Sequence, residues 1–86
     1  MDIGQAKLEM KAGKRVARAG WNGKGMFLYY VSEGLYPAKM DVIKGVFPND
    51  LVPYAPYIAM KTAQGNVVPW LASQTDLLAE DYEVVE

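Results

Sequence analysis

A chain of 86 residues without a single cysteine has to hold its fold by packing alone. Disulfides and cysteine-based zinc sites, which reinforce many small domains, are closed to it. A chain of this length buries only about 60–65% of its unfolded surface, so there is room for one domain over 1–86 and its core is marginal. The apolar content is nevertheless 51%, with 6 tyrosines and 5 methionines. Part of that surface is expected at a subunit interface, since small domains gain missing stability by association. A homo-oligomer is the first expectation.

Histidine is absent as well. This removes the usual general base near neutral pH, the commonest metal ligand and the Ser–His and Cys–His nucleophilic pairs. An Asp/Glu pair with a metal stays possible on paper, but outside the C-terminal tail the acids show no ligand spacing. The inventory points to binding rather than chemistry, with no metal and no cofactor expected.

The net charge of −1 hides an uneven distribution. Six of the nine cations fall in the first 24 residues: Lys7, Lys11, Lys14, Arg15, Arg18 and Lys24. The last 20 residues carry Asp76, Glu80, Asp81, Glu83 and Glu86 and no cation. A duplex-binding domain would be basic overall, which argues against nucleic acid. The oppositely charged ends are expected to meet within the fold or across an interface. The N-terminus lacks an apolar h-region, and no apolar run approaches the ~18–20 residues that span a bilayer. The expectation is a soluble, intracellular protein with no membrane partner.

Periodicity and punctuation predict an α+β domain: a small antiparallel sheet with an N-terminal helix and a short C-terminal helix. Asp2 to Ala12 reads as a helix, with Asp2 and Gln5 in a capping-box pattern and Gly13 as the stop. Ile3, Ala6 and Met10 share one face. Lys14 to Arg18 and Met26 to Val31 read as strands around an Asn22-Gly23 turn. The second is apolar on both faces, so it is central or covered by a partner. Prolines at 37, 48 and 53 and glycines at 34 and 45 break up 32–53, which reads as a loop covering the core, or alternatively as a lid or interface arm. Within it, Ala38 to Lys44 suits a helical turn or two. Tyr57 to Thr62 and Val67 to Trp70 form a hairpin, with Pro69 implying an edge or a bulge. Ser73 suits an N-cap with Asp76 at the third helical position, and Tyr82 to Val85 makes a last strand.

Two segments hold the chain's 2 tryptophans. In Trp21-Asn22-Gly23-Lys24-Gly25, glycines let a ligand approach the backbone, while exposed amides and Lys24 suit phosphate. It lacks the Gly-Lys-Ser/Thr pattern of a P-loop. Equally, it is a hairpin loop whose tryptophan closes the core. In Trp70 to Asp76, a helix starting at Ser73 would offer N–H groups of Gln74, Thr75 and Asp76 to an anion. Equally, Ser73 and Asp76 are a capping pair and Trp70 a core residue. Lys61 and Thr62 close a strand where a cation and a hydroxyl could join a pocket, or simply be solvated.

Taken together, residues 13–26 (Gly-Lys-Arg-Val-Ala-Arg-Ala-Gly-Trp-Asn-Gly-Lys-Gly-Met) and the block from Met60 to Tyr82 resemble the phage Thoeris anti-defence sponge family of the second type described, once known only as a domain of unknown function. In Thoeris immunity a bacterial TIR-domain enzyme turns NAD into a cyclic ADP-ribose isomer that activates a killing effector. The resemblance implies a protein that acts in the cytoplasm of the infected bacterial host. There it sequesters the messenger, glyco-cyclic ADP-ribose, without cleaving it. It further implies a homotetramer with pockets between subunits and, as in some members, a separate site for cyclic dinucleotides.

The ligand-binding residues it implies are Trp21, Asn22, Lys24, Gly25, Lys61, Thr62, Trp70, Ser73, Gln74, Thr75 and Asp76. Trp21 would stack on adenine or ribose and Trp70 would support the wall. Lys24 and Lys61 would counter the pyrophosphate, with Ser73, Gln74 and Thr75 as donors and Asn22 and Asp76 as readers of ribose hydroxyls or the adenine amine. Two other readings compete. A cyclic ADP-ribose hydrolase would need Asp76, Glu80 or Asp81 as a base. A phage nucleic-acid-binding or virion-assembly module would use the basic N-terminal third.

Overall fold

The computed structural model describes residues 1–21 and 25–86. The element order is α1 (Ile3–Lys11), β1 (Arg15–Arg18), β2 (Phe27–Val31), β3 (Gly34–Pro37), β4 (Leu51–Tyr54), β5 (Tyr57–Lys61), β6 (Val67–Pro69), α2 (Gln74–Leu78) and β7 (Tyr82–Val85). The domain is α+β, as the sequence predicts. Its main sheet is antiparallel, in the order β6-β5-β2-β1-β7.

Helix α1 is set at both ends by local chemistry. The Asp2 carboxylate accepts from the Gln5 N–H, and the Gln5 side chain accepts from the Asp2 N–H, completing the capping box. At the other end Gly13 adopts φ +94°, and the N–H groups of Gly13 and Lys14 close back on the carbonyls of Met10 and Glu9. That is a Schellman stop, which favours glycine because a Cβ crowds the left-handed region. The helix lays Ala6 and Met10 against Val16 of β1, Leu28 of β2 and Tyr82 of β7, and these five residues form the buried cluster beneath it. Met10, Val16 and Leu28 are the largest fully buried side chains.

Strand β2 lies in the middle of the five, which explains why its sequence is apolar on both faces. Leu28 and Tyr30 meet the core, while Phe27 and Tyr29 stand on the other side of the pleat. Pro69 falls in the edge strand β6, where a missing N–H costs no ladder bond. The β1–β7 register runs from Arg15↔Val85 to Arg18↔Tyr82, so the basic start and acidic end of the chain are neighbouring strands.

The stretch from 32 to 53 does not cover the core, contrary to the first of the expectations for it. Strands β3 and β4 pair with each other as a separate two-stranded sheet. It forms an arm that gives the molecule extents of 45 × 26 × 26 Å. The radius of gyration is 15.5 Å, against about 12 Å for a compact chain of this length. The loop between the strands carries two 3-10 turns, Asp41–Ile43, inside the span expected to be helical, and Pro48–Asp50. It closes through Asn49 and Asp50, both left-handed, with the Asp50 carboxylate accepting from the Gly45 N–H at 2.7 Å. Asn and Asp tolerate that region better than other non-glycine residues. Leu35, Tyr36, Met40, Val42, Val46 and Tyr54 stand exposed along the arm.

Candidate functional site

Strand β1 runs directly into a 3-10 turn, Ala19–Trp21, that delivers the Trp21 indole to the edge of the core. The chain returns at Gly25, whose φ of +68° directs it into β2. The Gly25 carbonyl accepts from the Lys61 ammonium at 3.3 Å. Lys61 reaches it because β5 pairs with β2 in the register Phe27↔Lys61. Trp21, Gly25 and Lys61 thus line one recess of about 320 Å³, together with Arg15, Arg18, Phe27 and Glu83. An indole, an open backbone and several cations in one recess form a surface suited to a flat, anionic ligand. Asn22 and Lys24, the other residues expected here, lie outside the described residues.

The second tryptophan-bearing segment is built differently. The Trp70 N–H donates to the Ile58 carbonyl at 2.9 Å, extending the β5–β6 ladder. Its indole is half-buried against the same core as Trp21 but lines a separate recess of about 520 Å³, with Ile3, Lys7, Tyr57 and Leu77. Within one chain the two tryptophans therefore face different recesses. Each also contributes to the core, so for both the packing role is real whatever else they do.

At α2 the capping arrangement is the one observed. The Asp76 N–H donates to the Ser73 hydroxyl at 3.1 Å, and the Ser73 N–H donates to the Asp76 carboxylate at 2.9 Å. The hydroxyls of Ser73 and Thr75 lie 2.8 Å apart. Gln74 occupies the first position of this five-residue helix. The Asp76 carboxylate already fills part of the helix start, so the open anion site expected from Gln74, Thr75 and Asp76 is reduced. Thr62 is likewise committed, its hydroxyl bonded to the Asn66 side chain inside the β5–β6 hairpin.

What joins the two segments is Arg18, which the residue pattern alone does not single out as a site residue. Its guanidinium donates to Asp76 at 2.9 Å and to Asp81 at 3.0 Å. Burial by itself would push the Asp76 carboxyl up. The Ser73 N–H, the Arg18 guanidinium and the Ser73 hydroxyl outweigh it and hold the group below its ordinary value. The hydrogen bonds from Arg18 to Asp81 and then Asp76 raise the guanidinium further. The Tyr82 hydroxyl donates to the Asp76 carbonyl at 2.5 Å, and burial, then the Asp76 charge, push its phenol up. Among the described residues no cluster of acidic side chains is arranged to hold a metal ion, and no helix is long and apolar enough to cross a membrane.

Arg15 and Phe27 are the site-lining residues that motif reading passes over. Val16 and Leu28 turn inward to α1, so their neighbours Arg15 and Phe27 fall on the opposite face of the sheet. The alternation is visible in the sequence, but bringing the two together requires the β1–β2 register.

The sequence as a whole is similar to proteins already grouped together. A family model described as "Thoeris anti-defense 2-like domain" matches residues 1–85. A protein of Bacillus phage SP01 named "Thoeris anti-defense 2" is 39% identical over 85 residues, covering 99% of this chain and 94% of the relative.

Proposed function

The chain belongs to the Thoeris anti-defense 2-like family, and within an anti-Thoeris role we propose that it binds and sequesters a cyclic ADP-ribose isomer without cleaving it. The observation that carries this reading is the convergence of Trp21, Gly25 and Lys61 on one recess. A purine or ribose face stacks on an indole, and a pyrophosphate is held by cations and open backbone. Asn22 and Lys24, which fall between Trp21 and Gly25 in the sequence, are proposed as further ligand contacts. Trp70, with Ser73, Gln74, Thr75 and Asp76, supplies a second wall, and two copies of the chain placed face to face close the pocket.

The carboxylates support binding over hydrolysis. A general base needs an ionised group free to accept a proton near neutral pH. Asp76 and Asp81 are instead tied to Arg18, and Asp76 is held low. The arm supports association. Among the described residues eight apolar side chains are buried, few for a chain of 86, and large apolar side chains stand exposed along β3, β4 and their loop. The assembly is a homotetramer acting in the cytoplasm of the infected host.

A sponge succeeds by affinity, and outcompeting a nanomolar effector takes about −12 kcal/mol or better. Calorimetric titration with glyco-cyclic ADP-ribose tests the reading. Nanomolar binding that falls at least about tenfold in Trp21→Ala is expected, from loss of stacking. Heat-free titration of the intact protein would remove the messenger assignment.

A further inference from the structure

Two recesses meet along a single ridge. One, of about 320 Å³, is the Trp21 recess; the other, of about 380 Å³, is walled by Tyr29 and Tyr30. Among the described residues, three line both: Arg15, Phe27 and Lys61. The Arg15 guanidinium carbon lies 5.1 Å from the Phe27 ring centroid and the Lys61 nitrogen 5.6 Å from it. Two cations therefore share one aromatic ring. Among the described residues neither has a carboxylate within ion-pair distance, although Glu83 of β7 also lines the Trp21 side. By contrast Lys14, next to Arg15, is paired with Glu9 at 3.1 Å, and Arg18 is committed to Asp76 and Asp81.

Like charges held at one ring repel each other, and an anion seated between them converts that repulsion to attraction. Arginine is suited to this because its planar fork pairs with two phosphate oxygens at once, whereas lysine acts as a point charge. The aromatic walls on either side offer stacking surfaces for the groups attached to such an anion.

We propose that Arg15 and Lys61, on the two strands that flank the Phe27 strand β2, grip the pyrophosphate of a pyrophosphate-bridged ligand, with its two organic halves lying in the recesses on either side of the ridge. This rests on the messenger-binding reading above and adds Arg15 to it as a ligand-contacting residue. Arg15 is exposed and sits at the start of its strand, so replacing it leaves the core intact.

The test uses the intact protein, with inorganic pyrophosphate and glyco-cyclic ADP-ribose as separate probes. Amide NMR shifts on adding pyrophosphate are expected at Gly25, Phe27 and Lys61, and are lost in Arg15→Gln. Messenger affinity is expected to fall by about 10- to 100-fold in Arg15→Gln. It falls less in Arg15→Lys, and stays at the wild-type level in Lys11→Gln, an exposed cation of α1. Unfolding curves of Arg15→Gln and wild type should superimpose. If Arg15→Gln binds the messenger as tightly as wild type and keeps the pyrophosphate shifts, the grip is wrong while the messenger reading stands. If wild type ignores the messenger but shows pyrophosphate shifts that vanish in Arg15→Gln, the grip stands and the messenger reading fails. Absence of both signals in wild type overturns both.

Discussion

Arg18 holds Asp76 at 2.9 Å across 58 residues of chain, and its other guanidinium edge holds Asp81 at 3.0 Å. One side chain of the basic N-terminal third thus fixes the start of α2 and the approach to β7. The uneven charge distribution is a device for joining the two ends of the chain. It also couples the turn that presents Trp21 to the segment that presents Trp70, since Arg18 lies three residues before the first and Asp76 six after the second.

The pair sets a pH dependence. The Asp76 carboxyl ionises below its ordinary value of 3.8 in the folded chain. Its charge therefore stabilises the fold at pH values above 3.8, and that contribution disappears as pH falls through the lower, folded value. Asp76→Asn keeps an acceptor for the Ser73 N–H but loses the charge. It is expected to destabilise by about 1–2 kcal/mol near neutral pH, as for a charge-assisted hydrogen bond. The gap between variant and wild type should narrow in acid. Urea unfolding near neutral pH and well below the ordinary carboxylate range measures both; an unchanged gap would assign the loss to cap geometry.

Gly25 is constrained by its backbone more than by space. At φ +68° a side chain is strained, while among the described residues an added Cβ would meet the end of Lys61, at 3.5 Å. Gly25→Ala is expected to cost about 1–2 kcal/mol from the left-handed conformation. Gly25→Asn should cost less, because asparagine tolerates that region. Thermal unfolding of the two variants ranks them. The reverse order would mean that contact with Lys61, not the backbone, decides.

The arm makes a prediction about mass. Met40 is 67% exposed and Val42 77%, near its tip. If these side chains are covered by another copy of the chain, aspartate at both positions buries unpaired charges in that contact. Met40→Asp/Val42→Asp is expected to elute as a smaller species by chromatography with light scattering, with its far-UV circular dichroism unchanged. An unaltered mass would place the subunit contacts elsewhere.

Local signals were readable wherever the chemistry was local. The Asp2–Gln5 capping box, the Gly13 stop, the Ser73–Asp76 cap, the span of β7 and the edge position of Pro69 all follow from residues within a few positions of one another. The arm was not readable for a physical reason. Pro37 and Pro53 lie inside β3 and β4, and proline and glycine ordinarily mark loops. The pairing that makes them strands, such as Gly34↔Tyr54, is settled at long range. The site divides in the same way. Trp21, Gly25 and Lys61 are visible as residue types, but the Arg15–Phe27–Lys61 ridge and the Arg18 clasp exist only once β1, β2, β5 and β7 are in register.

The central claim is that the messenger is held and not consumed. The direct measurement is to incubate the protein with glyco-cyclic ADP-ribose, pass it through a desalting column, denature the protein fraction by heat and chromatograph what is released. The account predicts that the ligand travels with the protein and is recovered chemically intact. Recovery of linear ADP-ribose or another product would contradict it, and would return Asp76, Glu80 and Asp81 to consideration as a catalytic base.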